Sequence, residues 1–384
     1  MATTFDSQVN VNVVFTGEAA RFDGFGTVVA LYNADPGRTN PFLAGDRYRR
    51  FSSTQELDAA VAANEMTAAE AEMFTVAFAQ PRPPSSILIA QYDGTWGGAA
   101  LNENPSVALD AMITAGEEFY GVAHVGACDI EAIRLLDTWL TQKRYIVGFV
   151  SEDTPLYQGS AAANSVLDGS IYGSGAELDV TALANADKIL KPYYHDDIQS
   201  LSPTAGDTGN AQALAGMVAR LGFDPDLTTA GFEGEVRGIA SYTTPLTQTQ
   251  VETNNANFYG TFGGVPYVSP GQMISGRPAN ERVSVDWFAI RLTEDLIQLK
   301  IRRDAEGQII PLTVEGQEIV RGAFLRRLAI GAALLKFDQA ESFISFPFPI
   351  PATDIDAERF SASGKLCLIR GGRIFDIDLS AEVC

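Results

Sequence analysis

At 384 residues, 46% apolar and 10% aromatic, the chain is too hydrophobic for wholesale disorder and too long for one compact core, so two or three domains are expected. Lys and Arg number 27 against 48 Asp and Glu, and the balance of 27 − 48 = −21 describes a surface that repels nucleic acid and anionic lipid headgroups, which argues against both as partners. No apolar run approaches the roughly 20 residues of a membrane span.

The opening residues, MATTFDSQVNVNVVF, hold neither a basic n-region nor an apolar h-region, so a secretory signal and membrane insertion are not expected and the chain should be made and remain in the cytoplasm. Residues 7–15 alternate, with Val9, Val11 and Val13 on one face and Gln8, Asn10 and Asn12 on the other, the period of a strand. GFGTVVALY at 24–32 reads as a buried strand. Residues 51–64 predict a helix capped by Ser53, with Glu56 at capping-box spacing, and 67–78 an alanine-rich second helix. Pro81, Pro83 and Pro84 break that helix before a strand at 86–91.

FYGVAHV at 119–125 and YIVGFV at 145–150 read as buried strands. The helix between them, 129–142, turns Ile130, Ile133, Leu136, Trp139 and Leu140 inward, and the three together predict a βαβ unit with parallel strands. A further helix is expected at 209–221, with Tyr193, Tyr194 and His195 in a polar loop ahead of it. The aromatic and glycine run NFYGTFGG at 257–264 suits a strand and tight turn where backbone approaches backbone. After a loop with Pro270, Gly271, Gly276 and Pro278 comes a helix at 285–303. Phe288, Leu292, Leu296 and Leu299 recur there at three- and four-residue spacing, and Trp287, Ile290 and Ile297 widen the stripe to that of a helix covered on most sides.

The next helix, 318–336, is the most basic element of the chain. Arg321, Arg326, Arg327 and Lys336 meet only Glu318 within the segment. They form either a solvated face neutralised by acids elsewhere or a docking face for an acidic partner. Residues 365–369 and 373–379 are strand-like around a turn at Arg370, Gly371 and Gly372, and carry Leu366, Leu368, Ile374, Phe375 and Ile377. The strands at the two ends are either edges of the protein's own sheet or arms that complete a neighbour's.

Charge is unevenly spread. From Glu281 onward there are 13 basic and 16 acidic residues, a net of −3, which leaves −21 − (−3) = −18 on the first 280. An acidic solvent-facing part and a nearly neutral partner-facing part fit that division. Chemistry-bearing patterns are scarce. The two histidines read as a core residue (His124) and a loop residue beside Asp196 and Asp197 (His195). GxSxG, HExxH and GxxxxGK[ST] are absent, as is a GxGxxG after a strand. Cys128, Cys367 and Cys384 share no CxxC spacing and read as free thiols. No catalytic, cofactor-binding or metal residue is assigned, and no cofactor is expected.

Asn254, Asn255 and Asn257, the aromatic-glycine strand after them, and Val285-Asp286-Trp287 leading into a long helix resemble the contractile tail sheath proteins of bacteriophages. The FSS at 51–53, the helix ending in Phe78, the proline break and the apolar strand resemble that family too, as does the tyrosine- and histidine-containing segment at 193–195; the likeness runs from about 24 to 346. It implies a mixed α/β, multi-domain fold: an N-terminal arm (1–20), an α/β subdomain (21–100), an acidic α/β outer domain (101–250), an inner tube-facing domain (251–360) and a C-terminal arm (361–384). By the same resemblance Val9, Val11, Val13, Leu366, Leu368, Ile374, Phe375 and Ile377 lie in intersubunit arms, and Arg321, Arg326, Arg327 and Lys336 face the tube. The implied partners are other copies in stacked hexameric rings, the tail tube protein, and baseplate and tail terminator proteins. The implied role is mechanical, in a virion tail assembled in the host cytoplasm. An α/β enzyme or small-molecule binder using the middle domain is the alternative reading.

Overall fold

A computed structural model describes residues 22–33, 47–92, 104–127, 130–141, 143–151, 183–191, 193–194, 211–221, 234–239, 257–262, 264–269, 271–356 and 359–369. Val9, Val11, Val13, Ile374, Phe375, Ile377 and His195 lie outside them, as do Asn254 and Asn255. The chain divides into two compact units, Arg21–Asp286 and a second whose described residues run from Trp287 onward.

The first unit is built on a six-stranded sheet. β1 (Val28–Asn33), β2 (Tyr48–Phe51), β3 (Ile87–Tyr92), β4 (Gly121–Ala127), β5 (Ile146–Ser151) and β6 (Tyr193–Tyr194) lie in the order β2-β3-β1-β4-β5-β6. All neighbours are parallel except β2, which joins β3 antiparallel at the edge. The parallel strands are near-continuous apolar runs because both faces are covered. α1 (Thr54–Ala62) and α2 (Ala68–Phe78) connect β2 to β3, α3 (Ser106–Thr114) connects β3 to β4, and α4 (Ile130–Leu140) connects β4 to β5. Val29, Leu31, Leu88, Ala90, Val122 and Phe149 share one core with Ala108, Leu109 and Met112 of α3 and with Ile133, Leu136, Trp139 and Leu140 of α4. The alternate residues of β1 point the other way, where Tyr32 meets Phe74 of α2 edge-on. That second face also takes α5 (Gln212–Leu221), buried along all its length except Arg220. Gly148 lets Met217 of α5 approach β5 directly, since a Cβ there would stand 2.8 Å from its sulfur.

The expected βαβ unit is present, with β4 and β5 parallel around α4. The division expected near residue 100 is not: β1 pairs with β3 on one side and β4 on the other, so strands from either side of that position make one sheet. Residues 257–286 also belong to this unit and not to the second. Tyr193 is not in a polar loop. It is a fully buried residue of β6, paired with Val150. Local composition did not show this because its strand partner lies more than 40 residues upstream.

The cap expected at Ser53 is present, but the box expected with Glu56 does not close on it. Ser53 Oγ accepts from the Glu56 amide at 3.3 Å, but Glu56 reaches back to the amide of Ser52 at 2.8 Å. The reciprocal box sits at the next helix, where Thr67 and Glu70 each accept from the other's backbone amide. β7 (Gly234–Glu235), β8 (Phe258–Phe262) and β9 (Val265–Ser269) form a small antiparallel sheet in the order β7-β9-β8, which contains the expected aromatic-glycine strand.

α6 (Ala279–Ala305) starts six residues earlier than its apolar stripe predicts. Its first turns carry charge that the interior neutralises. Arg282 donates to both carboxylate oxygens of Asp286 at 2.8 and 2.7 Å and to Asp187 at 2.6 Å. Tyr120, just before β4, donates its hydroxyl to Asp286 at 2.9 Å. Burial, then the Asp286 carboxylate, pushes the Tyr120 phenol well up; burial opposes the charge of Arg282, but Asp286 outweighs it and holds the guanidinium above its ordinary value. Asp286 is 1% exposed. Replacing it by Ala leaves the buried Tyr120 hydroxyl without its acceptor and Arg282 with only the more exposed Asp187, and we expect a loss of about 3 kcal/mol, read as a lowered denaturation midpoint of the α/β unit.

His124 is fully buried in β4, with Nε2 2.8 Å from the Tyr92 hydroxyl, as its apolar surroundings in the sequence suggested. Burial holds its pKa down at about 4. The unfolded chain takes up a proton first, below about pH 6.5, so stability is fully present above that value and falls as the pH drops toward 4, by about 3 kcal/mol in all. Urea midpoints measured across pH 4–7 should show this slope, and His124→Gln should flatten it.

Candidate assembly surface

The second unit is a helical hairpin backed by a two-stranded ribbon. α6 from Trp287 onward packs against α7 (Val314–Ala333), and β10 (Phe337–Ser345) pairs antiparallel with β11 (Ser363–Leu368). α7 begins at Thr313, whose hydroxyl accepts from the Gly316 amide. The core is aromatic: Phe288 stands edge-on to Phe324 at 5.2 Å and to Phe337 at 5.3 Å. The stripe of α6 is buried as expected at Trp287, Phe288 and Leu292, while Ile290 is half-buried. Its second half is not: Leu296, Ile297 and Leu299 are half-buried and Ile301 is 50% exposed.

The four cations assigned to the basic helix have different surroundings, and Lys336 lies beyond the end of α7 at Ala333. Arg327 forks onto Asp295 of α6, with Nε and Nη2 each 2.9 Å from a carboxylate oxygen, and lies over the Trp287 ring. Lys336 is 2% exposed and also sits over Trp287, so it does not present its charge on an outer face as the sequence reading had it. Its long stem allows that burial beside an aromatic face. Arg321 is 3.5 Å from Glu318 and lies over Phe346. Arg326 is the most exposed, its side chain 57% accessible and 3.8 Å from Asp295. The sequence could not show Asp295 as a partner because it sits on another helix, about 30 residues away. Seen along its outer side, α7 offers Leu325, Arg326, Ala329, Ile330 and Ala333, more apolar than basic.

Leu366 and Leu368, assigned to an arm from the sequence, are half-buried members of β11 and pair with β10 of their own chain. Pairing slips between Asp338 and Phe343, where β10 carries extra residues stitched by Asp338 Oδ1 to the Ala340 amide and by Ser342 Oγ to the Cys367 amide. Among the described residues no third strand adjoins the ribbon. A cavity of about 170 Å³ opens between the ribbon and the hairpin, lined by Leu292, Leu296, Val320, Phe324, Ile344 and Leu366 among others. Of thirteen large apolar residues exposed among the described residues, ten belong to this smaller unit, including Ile309, Leu335, Phe343 and Phe348. The alternation of phenylalanine with proline in FPFPIP at 346–351 was the available sequence signal for Phe348.

A doubly wound α/β unit, an antiparallel three-stranded sheet and a helix hairpin with a ribbon define a mixed multi-domain fold. It is the fold of contractile sheath proteins. Over 99% of this chain and all of the other, it is similar to a chain of the six-fold symmetrised anti-feeding prophage baseplate (TM-score 0.59, 13% identity). It is likewise similar to the anti-feeding prophage helical sheath in the contracted state (TM-score 0.54, 13% identity, 99% and 100% covered). A third likeness is to the contracted sheath complex of the extracellular contractile injection system PVC (TM-score 0.56, 14% identity, 99% of each chain). No protein-family model matches the chain, and no curated protein matches it. At these identities the likeness shows the fold.

The contrast on α7 separates fold from surface. Arg327→Ala, which leaves Asp295 at 12% exposure with only Arg326 at 3.8 Å, should lower stability by roughly 2 kcal/mol. Arg326→Ala should change it by no more than about 0.5 kcal/mol. Thermal denaturation of the two variants side by side checks this.

Proposed function

We propose that this chain is a structural, non-enzymatic subunit of a contractile sheath in a phage-like injection device. It assembles as hexameric rings stacked helically around a tail tube, contacts baseplate and terminator proteins at the ends, and contracts to drive the tube through an envelope. The observation that carries this reading is the likeness of nearly the whole chain, both units included, to sheath and baseplate chains. The concentration of exposed apolar side chains in the unit that also holds the ribbon supports it.

In this reading the segments around Val9, Val11 and Val13, and around Ile374, Phe375 and Ile377, extend the ribbon of a neighbouring copy from its backbone edges, where Leu366 and Leu368 already supply one strand. Arg326 and Arg321 steer the subunit onto an acidic tube surface, with Leu325 and Ile330 beside them. The acidic remainder of the chain faces outward. Contraction needs no nucleotide: each subunit contributes a few kcal/mol from the difference between two packings, and many change together. The assembly is built in the host cytoplasm and works as part of the tail.

Negative-stain microscopy of the full chain at rising concentration should show rings or tubes. Removing residues 1–16 should abolish them and leave a monomer that still unfolds cooperatively. Dispersed particles from the intact chain at every concentration would refute the assembly role. Unfolding on truncation would place the first strand in the protein's own core instead.

A further inference from the structure

One face of α5 in the α/β unit carries polar groups that the interior does not answer. Gln212, Gly216 and Arg220 occupy successive turns of that helix and so share a side. Gln212 is 0% exposed, and neither its amide nitrogen nor its amide oxygen has a hydrogen-bond partner. Tyr193 of β6, also 0% exposed, lays its hydroxyl against Gly216, 2.7 Å from where a Cβ would sit, and that hydroxyl too is without a partner. Arg220 gives Nη2 to the carbonyl of Glu235 at 2.5 Å, and its Nε is buried and unpaired. Among the described residues no carboxylate pairs with it, because the side chain of Glu235 is taken by Arg237 at 2.6 Å.

Room for these groups is made by two glycines. A side chain at Gly216 would strike the Tyr193 ring, and one at Gly234, at φ +138°, would strike the Arg220 guanidinium. A buried water could bridge Tyr193 and Gln212, but it would bring Arg220 no charge beyond the through-space attraction of Glu235, whose carboxylate is engaged by Arg237. A negatively charged oxygen compound answers all three. It accepts from the guanidinium, the phenol and the amide, and the guanidinium in the last turn of α5 supplies the countercharge, which the helix dipole there does not.

We infer that the face of α5 formed by Gln212, Arg220 and the overlying Tyr193 is a binding site for a small oxyanion, a carboxylate or a phosphate-like ion, enclosed within the α/β unit. A free inorganic ion and a carboxylate on a protein side chain share this chemistry. They differ in shape, tetrahedral against planar, and two probes tell them apart.

The test is a titration of the full chain with inorganic phosphate and, separately, with acetate, each at ionic strength held constant with chloride, reading the thermal midpoint. A saturable rise of roughly 2–4 °C is expected with at least one probe. Phosphate alone would indicate an inorganic ion, and acetate a carboxylate-type ligand. Arg220→Met should abolish the rise, and Tyr193→Phe, which keeps the ring and removes only the hydroxyl, should weaken apparent affinity about tenfold. Should Arg220→Met fail to fold, Tyr193→Phe and Gln212→Leu decide the matter. No saturable shift beyond chloride with either probe, or a shift that survives unchanged in the variants that fold, would overturn the site.

Discussion

A carboxylate withdrawn from water must be met by donors and cations, and Asp286 is met from two places in the chain: Arg282 one helical turn before it, which also pairs with Asp187, and Tyr120 at the foot of β4. That arrangement fixes where α6 begins and against which strand. The next residue, Trp287, opens the aromatic core of the second unit, under Arg327 and Lys336. One helix therefore supplies the polar anchor of one unit and the apolar centre of the other. Breaking a buried, hydrogen-bonded ion pair is far more damaging than never having made it, so this short stretch tolerates little change.

The two units spend their hydrophobic residues differently. In the first, strands are covered on both faces and even a helix such as α5 disappears into the interior. In the second, a ribbon of two strands and a helix hairpin leave much apolar side-chain surface in view. A small unit cannot enclose every apolar group it carries, and ten of the thirteen large apolar residues exposed among those described lie here. The paired cations on α7 refine that picture. What looks in the sequence like a basic face is, in the fold, one well exposed arginine among alanine, leucine and isoleucine, with its neighbours spent on internal pairs.

Much of this was legible beforehand. The buried apolar runs of β1, β4 and β5, the apolar stripe of α4, the cap at Ser53, and the parallel pairing implied by a strand, helix and strand follow from rules acting over a few residues. His124 reads as a core residue from its neighbours alone. The long helix beyond 285 was visible too, though not its first turn, because Arg282 and Asp286 look like surface charges until Tyr120 is brought to them.

The sequence by itself determined where many of the helices and strands lie, among them β1, β3, β4, β5, α4 and most of α6, that the fold mixes the two, and that charge is unevenly divided along the chain. All of these depend on side-chain periodicity and composition within short windows. Only the tertiary structure decided that strands on either side of residue 100 form one sheet, that Tyr193 is a buried strand residue beside Gly216, that Asp295 neutralises Arg327, and that Lys336 is covered. Each of those is a contact between residues far apart in the chain, chosen by packing and by the need to satisfy buried polar groups, and no local pattern encodes it.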